Sequence, residues 1–454
     1  MHHDLATMDL RPPQAVREIA RRLEEAGYET WAVGGAVRDA VLGLPAGDWD
    51  LATRARPHEV RRLFRRTVPI GIEHGTVGVL GRDGVLYEVT TFRRDVETFG
   101  RHAVVEFADT VEEDLARRDF TLNALAWHPL TGELKDPFGG LRDLEERRLR
   151  TVGRPEERFA EDYLRILRAL RFAGHFRLTI EPDTWRALVE ATPNLLRLSA
   201  ERIREELWKI LEKTQHASAA LSLYAASGAL AVLYPELDAT VGLEQGAGHA
   251  HDVWTESLFA VDALPRSRPL LRVAALLHGV GKPAARTRDL RGGWRFTGHE
   301  ALGATMAAAI MRRLKASNAD TERVARLVRH QADLFPPDAP DAAVRRWLRS
   351  VGPDLMNDLF RLRFACWRAQ AGRSAPPPRD LLDRVRRARA VLRQRPPLEV
   401  KDLAIGGQDL KALGLKPGPR FGEILRELLE RVTDDPELNT REALLELVRR
   451  EYLH

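Results

Sequence analysis

Two aspartates one residue apart, Asp48-Trp49-Asp50, are the feature of this 454-residue chain most suited to chemistry. On a β-strand, residues i and i+2 face the same side, roughly 7 Å apart at Cα, so both carboxylates would project together. Two such groups repel each other unless a cation lies between them. Mg²⁺ suits the pair because it takes oxygen ligands and keeps positions open for water and phosphate. Alone, a D-x-D reads more readily as a polar strand edge. Its surroundings reverse that reading. Gly34-Gly35 stands about fourteen residues upstream at a predicted strand-to-helix junction, with Arg38-Asp39 just beyond. Glycines there let backbone N–H groups approach phosphate oxygens, and Arg38 adds a charged fork. A glycine cradle beside paired carboxylates is the layout of metal-assisted nucleotidyl transfer, in which a hydroxyl is aligned with an α-phosphate.

The elements that must hold these groups alternate along the first hundred residues. Strands are predicted over Tyr28–Val33, Asp48–Thr53, His74–Leu80 and Val85–Phe92, with helices over Ala36–Leu42 and Pro57–Arg65. Gly81-Arg82-Asp83-Gly84, between the last two strands, is a hairpin signal. Beyond about residue 140 the strand pattern fades into amphipathic helices, among them Arg158–Arg171, Ala200–Leu211, Leu270–His278 and Glu300–Leu314. The expected architecture is an α/β head followed by a long all-helical body. No repeat array is evident.

Composition bounds the rest. At 44% hydrophobic and 30% charged residues the chain is globular. No apolar run approaches the eighteen residues of a membrane span, and the start MHHDLATMDLRPPQAVREIA does not read as a secretory signal. Cys366 is the only cysteine, which excludes an internal disulfide and a cysteine zinc cluster and makes a reducing cytoplasm the expected compartment. Of 71 basic residues 63 are arginine. That bias suits phosphate recognition, although a GC-rich genome produces it too.

Gly34-Gly35-Ala36-Val37-Arg38-Asp39, Asp48-Trp49-Asp50, Arg117-Arg118-Asp119-Phe120-Thr121-Leu122-Asn123-Ala124, Asp136-Pro137-Phe138-Gly139-Gly140 and Glu161-Asp162-Tyr163-Leu164-Arg165 with Arg168 occur in this order across residues 30 to 172. Together they resemble the bacterial-type (class II) tRNA nucleotidyltransferases and their poly(A) polymerase relatives. The resemblance implies a polymerase-β-like nucleotidyltransferase head followed by an all-α neck, body and tail, here divided 1–145, 146–245, 246–395 and 396–454. It implies Asp48 and Asp50 as ligands of Mg²⁺. Gly34, Gly35 and Arg38 would serve the nucleotide, and Asp119 and Asn123 would lie near the incoming ribose and triphosphate, with Arg118 close by. Glu88 is the candidate third carboxylate. The implied partners are a tRNA lacking its 3′ CCA, CTP and, for complete ends, ATP.

Base choice can be argued from side-chain chemistry. On a continuous helix Asp162 and Arg165, at i and i+3, share a face. A carboxylate accepts from an exocyclic amino group while a guanidinium donates to the adjacent ring acceptor. Cytosine and adenine present that pattern. Uracil and guanine place a carbonyl against the carboxylate. Arg168 and Arg171 continue the helix toward a triphosphate. A solvent-exposed ion pair is the plainer reading of such spacing on its own.

Two further segments bear on specificity. Arg93 to Phe107, the counterpart of the family's flexible loop, looks slightly shorter than usual and carries Val96 and Ala103 in place of the usual residues. A short loop in this family goes with CC-only addition, so a CC-adding enzyme with an A-adding partner is expected. Full CCA addition is the alternative, followed by A addition or poly(A) synthesis. Leu276-Leu277-His278-Gly279 resembles the His-Asp signature of HD phosphohydrolases, with glycine for aspartate and Glu256 at an expected histidine. A degenerate, inactive HD-like domain follows, although His278, His299 and His330 remain. Lys411, Lys416 and Arg420 in the tail are candidate phosphate contacts.

Overall fold

The computed structural model describes residues 10–453 apart from 100–101, 247 and 373–375. The chain divides into two compact units, one ending at Pro235 and the other beginning at Glu236.

In the first unit the order begins α1 (Gln14–Glu25), β1 (Thr30–Val33), α2 (Gly35–Val41), β2 (Asp50–Thr53) and α3 (Pro57–Leu63). It continues β3 (Thr67–Gly71), β4 (Thr76–Leu80), β5 (Leu86–Thr91), β6 (Arg93–Phe99), β7 (His102–Phe107) and α4 (Val111–Ala116). Then come β8 (Ala126–Trp127), β9 (Leu134–Lys135), α5 (Gly140–Glu145) and β10 (Arg148–Leu149). After them follow α6 (Pro155–Glu161), α7 (Leu164–Phe176), β11 (Thr179–Ile180), α8 (Pro182–Ala191) and α9 (Ala200–Lys213).

Seven strands form one mixed sheet in the order β3-β4-β5-β2-β1-β8-β9. Only β2 and β5 pair in parallel, with Leu51 opposite Val89; the other neighbours are antiparallel. β1 lies inside the sheet between β2 and β8, and its Trp31, Ala32 and Val33 are buried, as a strand covered on both faces requires. One face closes on α4 through Trp31, Val33, Ala52, Phe92, Val111 and Leu115. The hairpin predicted at Gly81–Gly84 is present. Gly84 takes φ +81°, where a side chain would be strained, and Asp83 accepts from the Val85 N–H at 3.0 Å and from the Tyr87 hydroxyl at 2.6 Å.

Sequence patterning overlooked α1, whose buried Val16, Ile19, Ala20 and Leu23 make a clear apolar stripe. It also overlooked β3, an edge strand that can tolerate Pro69. The Arg93–Phe107 segment pairs as an antiparallel ribbon, β6 with β7. Residues 100–101 between them lie outside the described residues.

Two expectations are corrected. The strand carrying the aspartates begins at Asp50, so Asp48 precedes the ladder. The helix predicted over Arg158–Arg171 is two helices, α6 and α7, because Asp162 is extended (φ −154°, ψ 106°). Its carboxylate accepts from the Leu164 N–H at 3.1 Å, a local bond that competes with helix continuation.

Among the described residues the second unit is helical apart from one short hairpin, Thr287–Arg288 with Trp294–Arg295. Helices Val253–Asp262, Pro269–Leu277, His299–Arg313, Asn318–His330 and Met356–Ala371 pack on one another. The last of these, and Asp341–Val351, were not anticipated. A separate apolar cluster closes the tail, built from Leu403, Ile405, Leu410, Leu428, Val432, Leu444 and Val448. No helix among the described residues is long and apolar enough to cross a membrane.

Candidate active site

A cavity of about 570 Å³ opens in the first unit. Gly34, Gly35 and Arg38 line one wall with Asp50; Arg118, Asp119 and Asn123 line another; Asp162, Arg165, Arg168 and Arg171 complete the predicted set. Of the proposed residues Asp48 and the candidate third carboxylate Glu88 are not part of the lining, and of the two Asp48 is the one expected to hold metal. It is exposed, Trp49 is buried, and Asp50 is half-buried, so the in–out alternation extends just beyond the strand.

Asp50 follows from the sheet register. Val33 pairs with Asp50, so the glycine turn after β1 emerges beside it. Gly34 takes φ +78°, a conformation that calls for glycine, and a Cβ there would also displace Arg118 Nη1, 2.9 Å away. Burial, reinforced by Glu88 and by Asp48 against the opposing Arg118, pushes the Asp50 carboxyl up to about 6. This surplus of negative charge fits a divalent cation. No three His, Cys, Asp or Glu side chains converge as a metal cluster among the described residues. Glu88 therefore acts on Asp50 through its charge, and a metal would rest on Asp48 and Asp50 with water and phosphate oxygens completing its shell.

A pH dependence follows. Asp50 must lose its proton to bind metal, so affinity for Mn²⁺ should weaken toward about tenfold per pH unit below pH 6 and level off above it. In metal-free protein the raised value means a proton is taken up on folding, so stability should fall as pH rises from about 4 to 6. Calorimetric Mn²⁺ titrations from pH 5 to 8 check this; affinity that stays flat between 5 and 7 removes the coupling.

The opposite wall is a chain of hydrogen bonds rooted in buried Asp119. Its Oδ2 accepts from Arg168 Nε at 2.7 Å, and its Oδ1 from Asn123 Nδ2 and the Phe120 N–H, both at 2.9 Å. Burial opposes its charge, but Arg168 and the bond from Asn123 outweigh that and hold the carboxyl at about 2. Asn123 Oδ1 then accepts from Arg38 Nη1 at 2.5 Å. Arg38 also pairs with Asp39 at 2.7 Å and lies over the Phe176 ring. The Asp136–Gly140 motif supports this wall from behind. Asp136 accepts from the Gly140 and Leu141 N–H groups, and a Cβ on Gly140 would collide with the Thr121 carbonyl at 2.2 Å. Buried Asp114 ties Arg117 and Arg118 at 3.0 and 3.2 Å.

Asp162 and Arg165 meet the same cavity without sharing a helical face. Asp162 sits in the break before α7, whereas Arg165 lies in its first turn and is held by Glu161, by the Arg158 carbonyl at 2.8 Å and by the Arg117 carbonyl at 3.2 Å. Four further charged lining residues were not among the predicted site residues: Arg117, Arg202, Lys209 and Lys213. The last three recur with Glu206 as a polar stripe along α9, a signal present in the sequence but indistinguishable there from a solvated face. Glu206, fully buried, accepts from Arg171 Nε at 2.6 Å and from Lys209 Nζ at 2.9 Å.

In the HD-like pocket of the second unit no three His, Cys, Asp or Glu side chains come together among the described residues. Glu256 accepts from Gln245 Nε2 at 2.5 Å and pairs with His249 at 2.7 Å, while Lys282 Nζ donates to Gln245 Oε1 at 2.5 Å. His278 donates from Nδ1 to the Ala275 carbonyl at 2.7 Å, and burial followed by the Lys282 charge pushes its imidazole down. His299 and His330 are engaged by the Phe296 carbonyl and Asp333. A Cβ at position 279 would lie 2.5 Å from Val253 Cγ1. Gly279→Asp should therefore destabilise the fold by about 1–3 kcal/mol without creating a hydrolase. Urea unfolding and a phosphodiester assay with Mn²⁺ or Ni²⁺ check it, and any gain of hydrolysis contradicts it.

A mixed-sheet, polymerase-β-like head with acidic side chains facing an arginine-lined cavity defines a nucleotidyltransferase. The family described as poly A polymerase head domain matches residues 30–150, and the RNA and SrmB- binding site of polymerase A matches 177–240. The HD domain matches 247–365, and tRNA nucleotidyltransferase domain 2 matches 387–448. The CCA-adding enzyme of Geobacillus stearothermophilus is 33% identical over 440 residues, 96% of each chain. That of Levilactobacillus brevis is 32% identical over 438 residues, 96% of this chain and 97% of the relative. The crystal structure of the Bacillus stearothermophilus CCA-adding enzyme in complex with CTP superposes with a TM-score of 0.72 at 29% identity, covering 98% of both chains. The chain belongs to the class II tRNA nucleotidyltransferases, enzymes that add nucleotides to tRNA 3′ ends and generally use a divalent metal.

Proposed function

We propose that this enzyme adds CMP residues from CTP to the 3′ end of a tRNA lacking its CCA, joining the terminal 3′-oxygen to the α-phosphorus and releasing pyrophosphate. The cavity carries the reading, with Asp50 at one wall, Asp162 and Arg165 at another and arginines between. Asp48 and Asp50 would hold Mg²⁺, which supplies positive charge at the reacting phosphate when bound. Gly34 and Gly35 leave the backbone accessible, while Arg38, Arg118, Arg168 and Arg171 balance triphosphate charge. Asp119 and Asn123 fix that wall beside the ribose. Asp162 accepts from the base's amino group and Arg165 donates to its ring acceptor, which favours CTP and ATP over UTP and GTP.

The short Arg93–Phe107 segment supports CC-only addition, with a separate enzyme supplying the final AMP. Complete CCA addition, with ATP as second substrate, is the second reading; full-length relatives named CCA-adding enzyme favour it. In both, catalysis belongs to residues 1–145, the helical neck spans 146–245, and the HD-like body (246–395) and tail (396–454) are non-catalytic parts of a cytoplasmic enzyme. Purified protein incubated with tRNA lacking its 3′ end, Mg²⁺ and each NTP decides by product length. Growth by two nucleotides with CTP and none thereafter with ATP supports CC addition. A third nucleotide from ATP selects CCA addition, and long A tracts select poly(A) synthesis.

A further inference from the structure

The base-facing carboxylate is not free to swing. Asp162 lies between two helices, on extended backbone that belongs to neither. Arg202, forty residues later in the first turn of α9, supplies the restraint. Its Nη2 donates to Asp162 Oδ2 at 2.6 Å and its Nη1 to Oδ1 at 3.1 Å, a two-pronged pair in which each side chain is only about a fifth exposed. Oδ1 also accepts from the Leu164 N–H at 3.1 Å. A carboxylate offers about four lone-pair positions. Both on Oδ1 are occupied, and one of the two on Oδ2 is taken by Arg202.

The geometry points to Arg202 as a positioning residue for nucleotide selection: by filling three acceptor positions together with Leu164, it leaves Asp162 one acceptor, on Oδ2, to meet the amino group of an incoming base. The inference rests on the reading of Asp162 and Arg165 as the base-facing pair and adds what sets their precision. A planar guanidinium fixes the carboxylate plane as well as its place, which an ammonium cannot. A base with a carbonyl at that point then meets a fixed lone pair that cannot turn away. Without the fork, the carboxylate rotates about χ1 and χ2, and a water can bridge it to the carbonyl of UTP.

The test uses full-length Arg202→Ala, Arg202→Lys and Asp162→Ala enzymes, with kcat/KM measured for CTP and UTP on tRNA lacking its CCA. Arg202→Ala is expected to lower the CTP-over-UTP ratio about 10- to 100-fold, the range of one lost charge-assisted bond. Arg202→Lys should recover only part of it. Competition by inorganic tripolyphosphate should be unchanged in both, which a general loss of structure would not leave intact. A wild-type ratio in Arg202→Ala, with selection lost in Asp162→Ala, overturns the role of Arg202 and leaves the base-facing pair standing. A wild-type ratio in Asp162→Ala overturns the reading beneath it. Should Arg202→Ala fail to fold, Arg202→Gln is used with the lysine variant, and wild-type ratios in both overturn the proposal.

Discussion

Asp50→Asn is expected to reduce nucleotide addition about 10³-fold or more while leaving tRNA binding close to normal. Asparagine keeps the shape of the side chain but removes a charge that a divalent cation needs, and groups that act on charge developing at a transferred phosphate commonly contribute at this scale. The loss should not come from unfolding. Asp50 stands beside Glu88 and Asp48, and its carboxyl is pushed up to about 6 by burial and by those neighbours. Removing its charge relieves that crowding, so the metal-free variant should melt no lower than wild type. Incorporation of labelled CMP, tRNA binding by filter retention and a thermal melt together check this. Turnover within tenfold of wild type would remove Asp50 from the metal site.

Asp119→Asn should act through stability as well as activity. Asp119 is buried against Arg168 and anchors Asn123, which holds Arg38. Breaking a buried ion pair commonly costs 3–5 kcal/mol because the surviving charge is left uncompensated. The Arg168 side chain is still 32% exposed, so about 3 kcal/mol is expected. The pH dependence has a definite sign. The Asp119 carboxyl is held at about 2, below its ordinary value of 3.8, so its contribution is fully present above about pH 4 and is lost as pH falls through 2. Urea unfolding of both proteins should show a gap at pH 7 that narrows toward pH 2. A gap under about 1 kcal/mol at pH 7 would mean Asp119 does not anchor this wall.

The helical pocket makes a related point about lost function. Gly279 by itself could mean one missing ligand in an otherwise intact site. Packing shows more: Val253 occupies the space a side chain at 279 would need, and Lys282, Gln245, His249 and Glu256 form a mutually bonded polar cluster. A buried ammonium next to that carboxylate supplies the positive charge internally.

The sequence by itself determined the chemistry and the order of parts. Asp50 in a strand, glycines at the turn before α2, the hairpin at Gly84 and the long helical body all rest on short-range rules: side-chain alternation, backbone freedom and apolar periodicity. The predicted site residues other than Asp48 and Glu88 line one cavity for the same reason, since a few local elements carry nearly all of them. Tertiary structure decided what depends on pairs distant in the chain. It set Asp162 outside the helix that spacing suggested, joined it to Arg202 forty residues on, brought the charge of Glu88 to bear on Asp50 and turned the α9 stripe toward the same cavity. Such contacts are fixed by how sheets and helices pack, and a charged residue's neighbours in space leave no periodic mark along the chain.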